Sequence, residues 1–94
     1  MKGVVQIGEV IDEYMERLIG KERIRMAAAW PGIAGSQLYG VTEFWKVENG
    51  VLYLRVRSSS ARNLVNLRSS RIIRDFNEAF PDNPIKSIRT SRIS

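Results

Sequence analysis

Cysteine and histidine are both absent from the 94 residues. Without cysteine there can be no disulfide and no thiolate metal site, and nothing points outside the cytoplasm. Without histidine the chain lacks the usual general base and the commonest metal ligand together. No apolar run approaches the roughly 20 residues that span a bilayer. The opening MKGVVQIGEV lacks the longer apolar core and small-residue cleavage site of a signal peptide. Also missing are a Gly-rich phosphate loop followed by Lys-Ser/Thr, paired metal ligands, and a nucleophile accompanied by histidine. The expectation is a cytoplasmic protein that is not an enzyme and has no cofactor, no metal, no membrane contact and no small-molecule substrate. With no internal repeat, linker or low-complexity segment, residues 1–94 are expected to form one domain.

What is present describes a folded chain: 44% of residues are apolar and 27% charged. The net charge of +5 is unevenly placed. Residues 1–49 hold six basic and seven acidic groups, whereas residues 50–94 hold nine basic and three acidic ones. Eleven of the fifteen basic residues are arginine, whose planar fork suits phosphate and base edges. A basic half on a near-neutral half suggests a polyanion partner, although the same asymmetry also describes a surface that charge merely keeps in solution.

The chain is organised around residues 51–80. Leu52, Leu54 and Val56 alternate with Val51, Tyr53, Arg55 and Arg57, the period of a strand. Ser58, Ser59 and Ser60 then offer N-cap oxygens, and the period becomes helical. Ala61, Leu64, Val65, Ile72, Phe76 and Ala79 form one apolar stripe, which predicts a single long helix from Ser60 to Phe80. Arg55, Arg57, Arg62, Arg68, Arg71 and Arg74 are turned outward from this unit. Arg71–Asp75 and Arg74–Glu78 are spaced to pair along the helix. Arg68 falls at the margin of the stripe, where its stem can be covered while its head reaches water.

Upstream, Ile7, Val10, Ile11, Tyr14, Met15, Leu18 and Ile19 predict an amphipathic helix over 7–19. Its other side is acidic, and Gly20 is placed to stop it. Residues 21–30 favour a second helix, with a break at Trp30-Pro31 and a short further turn through IAGSQL. Gly32-Ile-Ala-Gly35 has the GxxG spacing of a phosphate-clamping loop, a weak signal beside ordinary turn chemistry.

Residues 41–57 read as a β-hairpin about Asn49-Gly50, with a type I′ turn. A regular ladder from that turn sets Val47 opposite Leu52, Trp45 opposite Leu54 and Glu43 opposite Val56 on the core face. Trp45 and Leu54 are then buried neighbours, and Glu43 sits oddly among apolar residues. The other face pairs Lys46 with Tyr53, Phe44 with Arg55 and Thr42 with Arg57. It interleaves rings with cations, which suits unstacked bases; it equally describes a sheet with one wet face. Phe80-Pro81 closes the helix, PDNP turns the chain, and residues 85–90 are expected to form a third strand before SRIS frays.

This order of elements resembles the DciA family of bacterial replication proteins. The resemblance spans nearly all 94 residues. It rests on the Trp30…Gly35 segment, Thr42, and NGVLYLRVRSSSARNLVNLRSSRIIRDFNEAF followed by IKSIR. The chain departs from many relatives at Ser60, where they place a tryptophan, and some relatives carry a long tail that these residues do not include. The resemblance implies a KH-like domain that binds DNA and helps load the DnaB-type replicative helicase. Carried over by position, it sets Arg55, Arg57, Arg62, Arg68 and Arg71 on or beside the strand-to-helix corner. The expected architecture is α+β, in the order α-α-β-β-α-β, with helices on one face of a small three-stranded sheet. The expected nucleic-acid contacts are Phe44, Lys46, Tyr53, Arg55, Arg57, Arg62, Arg68 and Arg71. Expected partners are DNA and the replicative helicase. The rival readings are a protein-interaction module with no nucleic-acid site, and an RNA-binding KH-like protein.

Overall fold

The structure is a computed structural model that describes residues 20–93. The helix expected over 7–19 lies outside the described residues. Helix α1 covers 20–34, followed by α2 (Ser36–Tyr39), β1 (Thr42–Glu48), β2 (Val51–Val56), α3 (Ser59–Leu67), α4 (Ser69–Ala79) and β3 (Ser87–Arg92). The strands form one sheet in the order β1-β2-β3, antiparallel between β1 and β2 and parallel between β2 and β3. Helices cover one face of this mixed sheet. The fold is thus the expected small α+β arrangement.

Four local expectations are corrected. Helix α1 runs through Trp30-Pro31 to Ala34, and the amide of Gly35 still donates to the carbonyl of Pro31 at 3.1 Å. The amide that proline lacks would have bonded the carbonyl of Ala27; both residues are exposed, so water can serve that carbonyl. The break comes at Gly35 instead, whose φ of 82° lies in the left-handed region.

The long helix is in fact two. Arg68, at φ −107° and ψ 11°, separates α3 from α4, and its amide is shared between the carbonyls of Leu64 and Val65. The apolar stripe survives the break, because Ala61 and Val65 of α3 and Ile72 and Phe76 of α4 are all buried. Leu67, just before the break, is 82% exposed. Ser58 is the N-cap of α3, its Oγ accepting from the amide of Ala61 at 3.1 Å. The third strand starts at Ser87, two residues late, because the backbone of Ile85 is already engaged. Asn77 accepts from the Ile85 amide at 2.7 Å and donates to its carbonyl at 3.0 Å.

The hairpin register holds only next to its turn. Asn49 and Gly50 both have positive φ, 52° and 77°, as a type I′ turn requires. Val47 faces Leu52 and Lys46 faces Tyr53 as expected, but Phe44 then faces Leu54, Glu43 faces Arg55 and Thr42 faces Val56. Trp45 is the extra residue of a β-bulge, which opposes two residues on one strand to one on its partner. Everything before it changes face. Phe44 joins the core margin, Glu43 turns out to solvent, and Trp45 leaves the interior.

The bulge has a cause at the start of β1. The indole Nε1 of Trp30 donates to Thr42 Oγ1 at 3.0 Å, and that hydroxyl donates to the carbonyl of Leu38 at 2.7 Å. Thr42 must therefore face inward, beside Leu38 and Trp30, both buried. Around it the core gathers Met26 and Ile33 of α1, Leu52, Leu54 and Val56 of β2, and the inner stripe of α3 and α4. Thr42→Val keeps the shape but leaves the buried indole N–H without an acceptor. It should cost about 1–3 kcal/mol in denaturant unfolding, whereas Thr90→Val, on a half-exposed strand position, should stay within about 0.5 kcal/mol.

Candidate nucleic-acid interface

The face of the sheet opposite the helices is built from alternate residues of all three strands. Strand β2 contributes Val51, Tyr53 and Arg55; β3 contributes their register partners Ser87, Arg89 and Ser91; β1 contributes Glu43, Trp45, Lys46 and Glu48. The bulge sets both Trp45 and Lys46 against Tyr53. The Trp45 and Tyr53 rings meet edge to face, with centroids 5.8 Å apart and planes at 72°. Lys46 Nζ lies 4.8 Å from the Trp45 ring and 5.1 Å from the Tyr53 ring, and the Arg55 guanidinium lies 4.8 Å from the Trp45 ring. Two rings and two cations thus form one continuous cluster, and Arg89 stands beside Tyr53 in the register.

Acids temper the charge of this face. Glu48 Oε1 is 3.6 Å from Lys46 Nζ, and Glu43 is the register partner of Arg55. Charge alone is therefore a weak attractor here, and the half-buried rings are what distinguish this surface from any other basic one.

Of the residues expected to contact nucleic acid, Lys46, Tyr53 and Arg55 come together on this face. Phe44 does not: the bulge turns it to the core side, where it packs against buried residues. Trp45 takes its place. Arg57 continues β2 and is exposed, with its amide bonded to the carbonyl of Val41 at 3.2 Å. Arg62 is exposed on the first turns of α3, away from the ring cluster. Arg68 and Arg71 are engaged within the fold. Arg68 Nη2 donates to Gln37 Oε1, tying α2 to the α3–α4 junction. Arg71 Nη2 donates to the carbonyl of Ala34 at 3.1 Å, capping the last turn of α1, and its buried Nε has Asp75 Oδ2 at 4.0 Å. Arg74 pairs with its neighbour Asp75 at 3.3 Å, and among the described residues no Arg74–Glu78 bridge forms.

Gly32-Ile-Ala-Gly35 is not a clamping loop. Its first three residues are helical, Ile33 and Ala34 are buried, and its end is held by Arg71. The residues that sequence reasoning missed are Trp45 and Arg89. Trp45 carried a signal, since a regular ladder forced Glu43 into the core. Arg89 needed the parallel register of β3, which no local pattern encodes.

Among the described residues no group of three histidine, cysteine, aspartate or glutamate side chains is placed to hold a metal, and no helix is long and apolar enough to cross a membrane. The family model described as Dna[CI] antecedent, DciA, matches residues 6–90. The chain belongs to the DciA family. This is a family related to the loading of the DnaB-type replicative helicase, and not a catalytic one. No curated protein matches the sequence. Within this DciA-family chain, Trp30 and Thr42, two residues that carried the resemblance, are hydrogen-bonded to each other beneath the sheet.

The division of the arginines is testable by stability alone. Arg71→Ala removes a charged donor from the end of α1, from a side chain that is partly exposed. It should cost about 1 kcal/mol in urea unfolding. Arg62→Ala, on an exposed helix position, should stay within about 0.5 kcal/mol.

Proposed function

We propose that this DciA-family protein is a nucleic-acid-binding accessory of bacterial DNA replication that helps load the DnaB-type helicase, and that it holds single-stranded DNA on the outer sheet face. The observation that carries the reading is the cluster of Trp45 and Tyr53 with Lys46 and Arg55 on that face. Unpaired bases offer flat faces to the rings, while the cations hold the backbone. Such a surface tolerates any base order, as a loader acting along a chromosome requires. Arg57, at the end of the same strand, and Arg89, beside Tyr53, extend the positive border. The single domain of residues 1–94 belongs to the same reading, as does a cytoplasmic location beside the chromosome.

A protein-interaction module whose charge only keeps it in solution makes a different prediction about salt. If the arginines neutralise phosphates, single-strand affinity falls steeply with salt, with a log–log slope near −0.7 per phosphate contacted. Arg55→Glu with Arg57→Glu should then weaken binding far more than Lys2→Glu with Lys21→Glu. Equal effects of the two pairs would mark diffuse attraction without a site.

The rings give a second, independent test. Trp45→Ala or Tyr53→Ala should each weaken single-strand binding by about tenfold, since stacking contributes about 1–3 kcal/mol per base and 1.4 kcal/mol is one decade. The salt slope should hardly change, because no phosphate contact is lost. Duplex DNA, whose bases stay stacked on one another, should be less affected. Fluorescence anisotropy with DNA and RNA single strands of one sequence measures these affinities and decides between DNA and RNA as the ligand. Parental binding by both variants would remove the outer face as the site.

A further inference from the structure

A bulge leaves one residue of a strand outside the regular ladder, so its backbone groups must find partners elsewhere. In β1 the carbonyl of Trp45 finds one in helix α1: Arg23 Nε donates to it at 2.7 Å. That helix is firmly seated. Met26 and Trp30 are 4% and 3% exposed, and the indole of Trp30 is bonded to Thr42. Helix α1 therefore runs antiparallel beside β1, with Arg23 reaching the bulge at one end and Trp30 fixing the strand start at the other. Next to Arg23, Glu22 Oε1 accepts from Asn83 Nδ2 at 3.3 Å, which ties the same turn to the connection before β3.

We infer that Arg23 is a positioning residue for the outer-face surface, holding Trp45 outward through its carbonyl without contacting the ligand. Trp45 is gripped from two sides. Its ring is held by Tyr53, Lys46 and Arg55, and its backbone by Arg23. The competing arrangement is the regular hairpin, with Trp45 turned in against Leu54 and Phe44 turned out against Arg55. A one-residue slip of this kind exchanges the two faces of a strand. The Arg23 bond is made in the bulged arrangement, where it ties the backbone of the outward-turned Trp45 to helix α1. The consequence for ligand binding rests on the proposed nucleic-acid role of that face; the consequence for Trp45 does not.

The protein holds two tryptophans, Trp30 and Trp45. Labelling with 5-fluorotryptophan gives two fluorine resonances, assigned by Trp45→Phe. Arg23→Ala should shift or broaden the Trp45 resonance and leave that of Trp30 in place. Arg23→Lys, which keeps a charged N–H donor, should restore it. Single-strand affinity should fall about threefold to tenfold in Arg23→Ala, the size expected for one charge-assisted hydrogen bond. In a Trp45→Ala background the same change should have no further effect, because the residue it acts through is gone. An unmoved Trp45 resonance overturns the inference. So does an equal affinity loss with and without Trp45, which would make Arg23 a direct phosphate contact. A moved resonance with parental affinity upholds the positioning role and overturns the outer face as the nucleic-acid site.

Discussion

A mismatch of parity along β1 governs the rest of the structure. Side chains alternate across a strand, so positions five apart fall on opposite faces. Thr42 and Val47 are five apart, yet both must face the core. Thr42 is held there by Trp30 and Leu38, and Val47 by its place opposite Leu52 beside the Asn49-Gly50 turn. One extra residue has to be absorbed between them, and Trp45 is that residue. The turn and the buried hydroxyl each act locally. Their incompatibility is resolved only in the middle of the strand, where a large, half-buried ring is turned to the outer face.

The consequence reaches both surfaces of the sheet. Inside, Phe44 fills the margin of the core that Trp45 vacates, and Glu43 escapes burial. An ionised carboxylate with no partner there would cost several kcal/mol or force protonation. Outside, Trp45 arrives beside Tyr53 and between two cations. The same bulge therefore relieves the core of a charge and gives the open face its second ring. Neither benefit is available in a regular hairpin.

Much of the architecture was legible because it is local. The Asn49-Gly50 turn, the alternation of Leu52, Leu54 and Val56, the Ser58 cap and the stripe from Ala61 to Phe76 all depend on neighbours within a few positions. The misreadings lie where a distant partner decides. Trp30 stays helical before Pro31 because its ring is buried and bonded to Thr42, twelve residues on. The helix break at Arg68 is accompanied by a bond to Gln37, thirty-one residues back. The late start of β3 follows from Asn77 engaging Ile85. Lys46, Tyr53 and Arg55 fall on the outer sheet face as the hairpin pattern predicts, because they lie on the turn side of the bulge or on β2 itself. Phe44 was misplaced because it lies beyond the bulge. Glu43 among apolar residues was the one visible sign that the simple ladder was wrong, and a buried unpaired carboxylate was reason enough to break it.

The arginines divide along the same line between scaffold and surface. Arg23 reaches forward to Trp45, and Arg68 and Arg71 reach backward to Gln37 and Ala34, each tying one element to another. Arginine suits that role because its planar fork carries several donors at fixed angles, and its stem can lie along apolar neighbours. Arg55, Arg57, Arg62, Arg89 and Arg92 are exposed instead. The arginines of the basic half are thus divided between scaffold and surface, and Arg68 and Arg71 are engaged within the fold. Trp30 and Thr42, two residues that carried the resemblance, belong to the scaffold: both are buried, and together they lock the strand start. They set the parity that the bulge must resolve, and so they act on the outer face from beneath, by deciding which side of β1 presents its tryptophan.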